Sequence, residues 1–415
     1  MKESIRNTSL CLLLTSITLL NSCRQVSSIS SQVVSTVGLT ATPESTARSC
    51  IPPVANLAYP VGVLPSANAK EPDIAPLGGW QFQAPLPTST GIYYPQLVTR
   101  PNEVWVLMVA TKKVFRYRTD IHEWKGYNTI DNFSVVPENL FRTNDGTLWG
   151  IGTVSYGADS NRSFPTLLSR YNETTDQFEF VRDVDGFLDK ITLISVPGYI
   201  SEDAGDMLWF FGMSSGGNDV GLYSFAPSAQ KAEKRLSLPM GLSYAGPVIA
   251  PDGTIWFYSG GAEKQLLNYS PTTRQVQPYL GLPIFEKSEA VSSLFFDRAG
   301  RLWVDNKGWL DFTDPAKPVW YSIIPSPTFL TDNAWIDGLG DSPSGIGYGW
   351  DLPTIISQSS NGLFWFTTGH GIIRLDLKKG EWCWFTTGSS PVVEDKDKNV
   401  WIVVFDKLYK YHLEP

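Results

Sequence analysis

A turn followed by an apolar residue and a tryptophan recurs seven times along this chain, and few folds can use such a pattern. The copies are "PNEVW" at Trp105, "NDGTLW" at Trp149, "GDMLW" at Trp209, "PDGTIW" at Trp256, "RAGRLW" at Trp303, "SNGLFW" at Trp365 and "DKNVW" at Trp401. They lie 44, 60, 47, 47, 62 and 36 residues apart, a period that suits one four-stranded unit per copy, with insertions in the longer ones. Each unit has the same internal order. An apolar run such as "SSLFFD" (strand A) leads into a turn built on Asp-Gly or Asn-Gly, which accept the positive φ angles of tight hairpins. The tryptophan run, such as "TIWFYS", is strand B. An apolar-aromatic strand C follows ("LLSRYN", "GLYSFA", "LLNYS"), and then a shorter alternating strand D ("DQFEFV", "EWCWF").

Seven C strands precede only six D strands, because the chain stops at Pro415 just after the seventh C strand. "GGWQFQAP", around Trp80 and Phe82, supplies the missing strand from the other end. A last blade completed by an N-terminal strand closes the ring and removes its open edge. The expected fold is therefore all-β: a seven-bladed β-propeller of four-stranded antiparallel blades over residues 77–415, with six or eight blades as the alternative count. The 15 Trp, 35 Gly and 29 Pro fit many short strands joined by turns, and no long stretch carries helical periodicity. The seven tryptophans are expected to pack between neighbouring sheets, each burial contributing roughly 2–3 kcal/mol. A net charge of −8 argues against a nucleic-acid surface and fits a soluble monomer.

The N-terminus reads as a targeting segment. Lys2 and Arg6 precede the apolar run "LCLLLTSITLL", which ends in "LNSC". That run is too short to span a bilayer but has signal-peptide length. The small Ser22 before Cys23 makes residues 1–23 a lipoprotein signal with a cleavage box, and lipid on Cys23 the expected membrane attachment. An ordinary secretory signal cut nearby is the alternative. Residues 24–76, rich in Ser, Thr, Val, Ala and Pro, read as a tether. Cys50 and Cys383 remain after the signal, as a disulfide or as two free thiols.

Propeller loops sort by face: A–B and C–D turns on one, B–C and D–A connections on the other. The long segments fall on the second face. They are Thr153–Pro165, Met213–Gly221, Asp183–Ser195 and Pro325–Pro353. Loops beyond ~12–15 residues are usually functional or disordered. These carry Tyr156 and Asp159, then Trp335, Asp337, Asp341, Tyr348, Trp350 and Asp351, and aromatic platforms beside carboxylates suit a sugar or an organic cation. The same side chains could instead plug a small core of the loop itself.

Catalytic constellations are sparse. Of three histidines, only His370, in "TTGHGII", falls in a B–C loop on the insertion face, where general acid–base work is conceivable; a solvated turn histidine is the plainer reading. "GDSPSG" has Pro343 where a serine-protease box needs glycine, and no metal, phosphate or cofactor signature is present. Asp145, Asp252 and Asp297 recur in A–B turns and read as turn chemistry rather than metal ligands.

"DGTLWGIG", "DGTIWFYSGG" and "NGLFWFTTGHGIIRLD" resemble two-component-regulator propeller repeats, over Trp105 to Trp401. The resemblance implies an extracytoplasmic sensing or binding propeller. In that family a membrane helix and a histidine kinase often follow; neither is seen in this sequence, so a free-standing binder of a ligand or protein partner is expected. "WFTT" also resembles streptogramin lyases, which use a histidine and a magnesium ion, and only His370 could match that role. A scaffold in an envelope complex is the third reading.

Overall fold

The chain divides into two units, Met1–Glu44 and Ser45–Pro415, and all described residues belong to the second. The structure is a computed structural model. It describes residues 50–51, 81–87, 96–108, 113–127, 137, 139–153, 166–186, 188–193, 200–214, 219–240, 242–260, 264–279, 291, 293–304, 308–314, 318–322, 355–367, 371–378, 381–386, 391–404 and 407–413.

Seven antiparallel sheets follow one another in sequence, each ordered A-B-C-D. Blade 1 shows why. Its strand B, Glu103–Met108, buries nearly every side chain, whereas strand D, Glu123–Tyr127, buries only Tyr127. Inner strands lie between two neighbouring blades, so both faces must be apolar; the outermost strand keeps an alternating pattern because solvent reaches it.

The ring closes as the missing strand requires. Gln81–Pro85 pairs with Lys407–His412, Gln81 opposite Lys410 and Pro85 opposite Lys407. Ala84 and Leu86 then join Val104, Val106 and Tyr117 of blade 1 and Trp401 and Leu408 of blade 7 in one buried cluster. Phe82 stays about half exposed (53%) and meets the Tyr409 ring edge-on.

All seven tryptophans are buried, none more than 7% exposed. Four of them touch an aromatic ring at the end of strand C in the following blade: Trp105 meets Tyr171 at 4.8 Å, Trp149 meets Phe225 at 6.2 Å, Trp209 meets Tyr269 at 6.1 Å, and Trp256 meets Phe312 at 5.3 Å. The recurring Trp of strand B and the aromatic of "RYN", "SFA", "NYS" and "DFT" are thus two halves of one contact between blades.

Three details differ from the expectation. Among the described residues, parts of two of the long segments are in strands. Strands B and C of blade 3, Leu208–Ser214 and Val220–Ala226, take in the two ends of Met213–Gly221, with Met213 paired to Val220 and Ser214 N donating to Asp219 O at 2.8 Å. Within Asp183–Ser195, the buried Asp183 carboxylate accepts from Leu188 N (2.7 Å), and Ile191–Leu193 pairs with strand B of blade 3 beside Ile200–Glu202. Leu188, Ile191 and Leu193 are buried there; apolar side chains at that spacing gained more by extending the sheet than by forming an open loop. The third detail is a fifth strand on blade 6: Cys50–Ile51 pairs with Glu381–Thr386, placing Cys50 opposite Cys383. Directly opposed residues of an antiparallel pair lie about 4.5–5.5 Å apart at Cα, within the span a disulfide bridges.

Candidate functional site

The A–B turns build one face of the ring, and in blades 2 to 7 they are one structure repeated. Each opens at a residue whose N–H bonds the carbonyl four residues on: Thr143, Asp203, Ala250, Asp297, Ser359 and Asp395. The fourth residue of each turn has positive φ, and it is Gly146, Asp206, Gly253, Gly300, Gly362 and Lys398 in turn. Glycine at four of these six positions avoids the Cβ clash that this conformation imposes. The tryptophan follows six residues after the opening one, so the opening side chain sits under the indole N–H. Asp203, Asp297 and Asp395 accept from Trp209, Trp303 and Trp401 at 2.8, 2.9 and 2.7 Å. Thr143 and Ser359 accept from Trp149 and Trp365 at 3.2 Å each. Ala250 has no acceptor, and Trp256 turns to Thr254 at 3.1 Å; in blade 1, Trp105 uses Glu103 at 3.0 Å. These aspartates and tryptophans are engaged in holding the turns. The reading of Asp297 as turn chemistry agrees with this geometry.

Polar bonds also join the inner ends of neighbouring blades. Ser357 Oγ donates to Val392 O (3.0 Å) from blade 6 to blade 7, and Thr99 Oγ1 donates to Glu394 O (2.7 Å) from blade 1 to blade 7. Glu394 in turn accepts from Ser360 N at 2.5 Å and from the Ser360 hydroxyl. Arg142 of blade 2 donates to Thr99 O at 2.6 Å, and Arg298 of blade 5 to Ser360 O at 2.9 Å. Arg298 N adds a bond to Gln358 Oε1 at 2.8 Å.

These bonds frame a cavity of about 600 Å³ on the A–B turn face. Its wall is the inner strand of blades 6, 7 and 1, apolar at Leu97, Val98 and Val392 and polar at Ser357 and Gln358. The volume lies in the range of small-molecule sites, which typically measure roughly 300–1,000 Å³ and combine an apolar lining with a few directed polar groups. Arg142, Arg298, Lys396 and Lys398 stand on its rim against two carboxylates, Glu394 and Asp395. All four cations are solvent-exposed.

A second polar cluster lies between blades 1 and 2, away from this cavity. Asp176 accepts from Tyr127 (2.7 Å), Tyr171 (2.5 Å) and Lys125, and Arg116 pairs with it at 3.2 Å. Burial pushes the Asp176 carboxyl up, but the bonds from Lys125, Tyr171 and Tyr127 and the Arg116 charge outweigh it and hold it down at about 2. Burial, then the bond to Asp176, pushes Tyr171 up to about 12 and Tyr127 further in the same direction. Both phenols stay protonated donors, both are buried, and their hydroxyls are spent on Asp176. The arrangement clamps a seam; it does not present a reactive group.

Tyr156, Asp159, Trp335, Asp337, Asp341, Tyr348, Trp350 and Asp351 all lie outside the described residues, as do His370 and Cys23. The strand ends that flank them are described. Strand B of blade 2 ends at Thr153 and strand C begins at Thr166; strand D of blade 5 ends at Ser322 and strand A of blade 6 begins at Ile355. Both connections therefore leave from ends opposite the A–B turns. The cavity on the turn face was not anticipated. Its trace in the sequence is a basic residue at or beside several turns: "FRTNDG", "DRAG" and "DKDKN".

No family model and no curated protein matches this chain. Solved structures do match in fold. The extracellular domain of a B. thetaiotaomicron protein described as a hybrid two component system aligns with a TM-score of 0.53 at 12% identity, over 82% of this chain and 42% of that one. A second B. thetaiotaomicron extracellular domain, described as belonging to a one component system, aligns at 0.37 and 13% identity over 75% and 45%. YCF48 from Cyanidioschyzon merolae aligns at 0.47 and 12% identity over 80% and 99%. This chain spans less than half the length of the two B. thetaiotaomicron domains it matches. The architecture is a seven-bladed β-propeller, and its structural neighbours include extracellular domains of two component system proteins.

Proposed function

We propose that this protein is an extracytoplasmic binding or sensing propeller, held to a bacterial membrane by lipid on Cys23, that recognises a compact ligand in the cavity on its A–B turn face. One observation carries the reading: a cavity of about 600 Å³ framed by blades tied together through side chain–backbone bonds. A rigid rim of this kind lowers the ordering cost of binding. The extracytoplasmic placement rests on the signal-like N-terminus and on the repeat resemblance. A thermal-shift screen of the full-length protein against metabolites and glycans tests it. The exposed rim residue Ser360 is replaced by Trp in a parallel sample to narrow the mouth. The expected result is at least one stabilising compound whose effect disappears in Ser360→Trp.

A second reading places recognition on the opposite face, at Trp335 and Trp350, because the strand ends flanking residues 154–165 and 323–354 open onto that side. There the hit would survive Ser360→Trp and weaken in the Trp335→Ala, Trp350→Ala double variant. A stabilising compound unaffected by either change would remove both readings.

A further inference from the structure

We infer that the cavity on the A–B turn face takes a small organic anion with more than one acidic group, gripped at its two ends by Arg142 and Arg298. This rests on the binding role proposed above and adds the chemistry of the ligand.

The two arginines enter from opposite sides of one arc. Arg298 comes from the turn of blade 5 and Arg142 from the end of strand A in blade 2, with blades 6, 7 and 1 between them. Each guanidinium donates to a carbonyl of the adjoining blade, Ser360 O at 2.9 Å and Thr99 O at 2.6 Å. A carbonyl positions a guanidinium without neutralising it, and a guanidinium has five N–H donors in a fixed fork that fits carboxylate and phosphate oxygens. Among the described residues, neither arginine is paired with a carboxylate. Lys396 and Lys398 add two ammonium groups to the same rim.

The two carboxylates of the rim do not cancel this. Glu394 is turned onto Ser360, accepting from both its N–H and its hydroxyl. Asp395 accepts from Trp401 Nε1 at 2.7 Å, from the Asn399 side chain at 2.9 Å, and from Asp397 N at 2.9 Å. Their lone pairs are committed to the fold, while the cations face outward. Lys396 pairs with Asp397 at 3.6 Å, so four cations face three acids; the surplus at the rim is positive on a protein whose net charge is −8, and the local field opposes that of the whole molecule. Fields of this kind concentrate oppositely charged small ligands in a cleft. The Ser357 hydroxyl already donates to Val392 O and Gln358 Oε1 already accepts from Arg298 N, so what this wall keeps for a ligand hydroxyl is the Ser357 oxygen as an acceptor.

The test is isothermal titration of the full-length protein with citrate and with inorganic phosphate, beside the neutral trimethyl ester of citrate. Citrate is expected to bind, to weaken as sodium chloride is raised, and to bind more tightly than phosphate because only citrate carries a separate acidic group for each arginine. Arg142→Gln and Arg298→Gln should each weaken citrate about tenfold, and the double variant should lose it; far-ultraviolet circular dichroism checks that each stays folded. Arg142→Lys should retain part of the affinity. Equal binding of citrate and its ester, citrate affinity unchanged in a folded double variant, or no binding of either anion at millimolar concentration overturns the inference. A neutral compound lost in Ser360→Trp but indifferent to both arginines would sink the anion and leave the binding role standing. If no compound, charged or neutral, responds to Ser360→Trp, the binding role of this cavity fails as well.

Discussion

Blades 4 and 5 carry the same turn one after the other, and a carboxylate serves the two in opposite ways. In blade 5, Asp297 opens the turn and its side chain is fully buried. It accepts from Ala299 N and Arg301 N at 2.9 Å each, from Arg301 Nε at 2.6 Å, and from Trp303 Nε1 at 2.9 Å. In blade 4 the opening residue is Ala250, and the carboxylate, Asp252, has moved to the exposed third position of the turn. There, among the described residues, it holds only the Thr254 N–H (2.9 Å) and hydroxyl (2.7 Å). The indole anchors both turns, but in blade 5 the acceptor beneath it is a charge shielded from water, and in blade 4 it is the Thr254 hydroxyl. Position within a five-residue turn, more than residue type, decides what an aspartate contributes.

Removing the buried carboxylate should cost most. Asp297→Ala strands the Trp303 and turn N–H groups and leaves Arg301 unpaired. Breaking a buried charge pair typically costs about 3–5 kcal/mol, and we expect a loss of that order in the urea unfolding free energy. If Asp297→Ala yields too little folded protein, Asp297→Asn keeps one acceptor and should fall about halfway. A loss below about 1 kcal/mol would mean that burial is not what distinguishes the two blades.

Ser359→Ala in blade 6 comes next. Its hydroxyl, 2% exposed, is the acceptor for Trp365 Nε1 and also donates to Asn361 Oδ1 at 2.7 Å. Leaving a buried indole N–H without a partner costs roughly 1–3 kcal/mol. The same urea measurement should place this variant between the two aspartates. A cost equal to that of Asp297→Ala would show that the anchor is the indole bond alone, whatever accepts it.

How much of this was legible depends on how local each feature is. The tryptophan repeat and the spare N-terminal strand could be read directly, because each blade's pattern lies within a few tens of residues and closure needs only a strand count. The turn anchor was equally local but chemically disguised: its six opening residues are Thr, Asp, Ala, Asp, Ser and Asp. A search on Asp-Gly groups Asp145 and Asp252 with Asp297, although the first two stand at the third position of the turn and the last at the first. The cavity was not legible, because Thr99 and Glu394 meet only after the ring has closed over nearly 300 intervening residues. The folded stretches of blade 3 escaped for another reason. Gly-rich and Asp-rich composition reads as loop until cross-strand partners are known, and Met213 opposite Val220 is such a partner.

Asp176 lies between the two extremes, a turn aspartate with a third of its side chain exposed. Its carboxyl falls from 3.8 to about 2 in the folded protein. A depressed acid stabilises the fold fully above its unfolded value and loses that contribution as pH drops from about 4 through 2. The shift corresponds to at most about 2.5 kcal/mol, which solvent screening reduces to roughly 1. Asp176→Asn should therefore be less stable than the native chain at pH 6 by about 1 kcal/mol, with the gap closing below pH 3. A gap independent of pH would assign the seam to shape, not charge.

Asp252→Ala should show the smallest effect, about 0.5–1 kcal/mol, because water replaces an exposed acceptor at little cost. The Trp256 anchor survives it, since Thr254 Oγ1 keeps the 3.1 Å contact once released by Asp252. Thr254→Val removes that contact and should cost more than Asp252→Ala, even though it deletes no charge. In the double variant the loss should be less than the sum, because Asp252 acts largely by fixing the rotamer of Thr254. If the two losses add in full, Asp252 stabilises the turn by itself, and the contrast with Asp297 becomes one of degree. If Asp252→Ala alone approaches the cost of Asp297→Ala, an exposed turn carboxylate matters as much as a buried one, and blades 4 and 5 solve the turn in the same way after all.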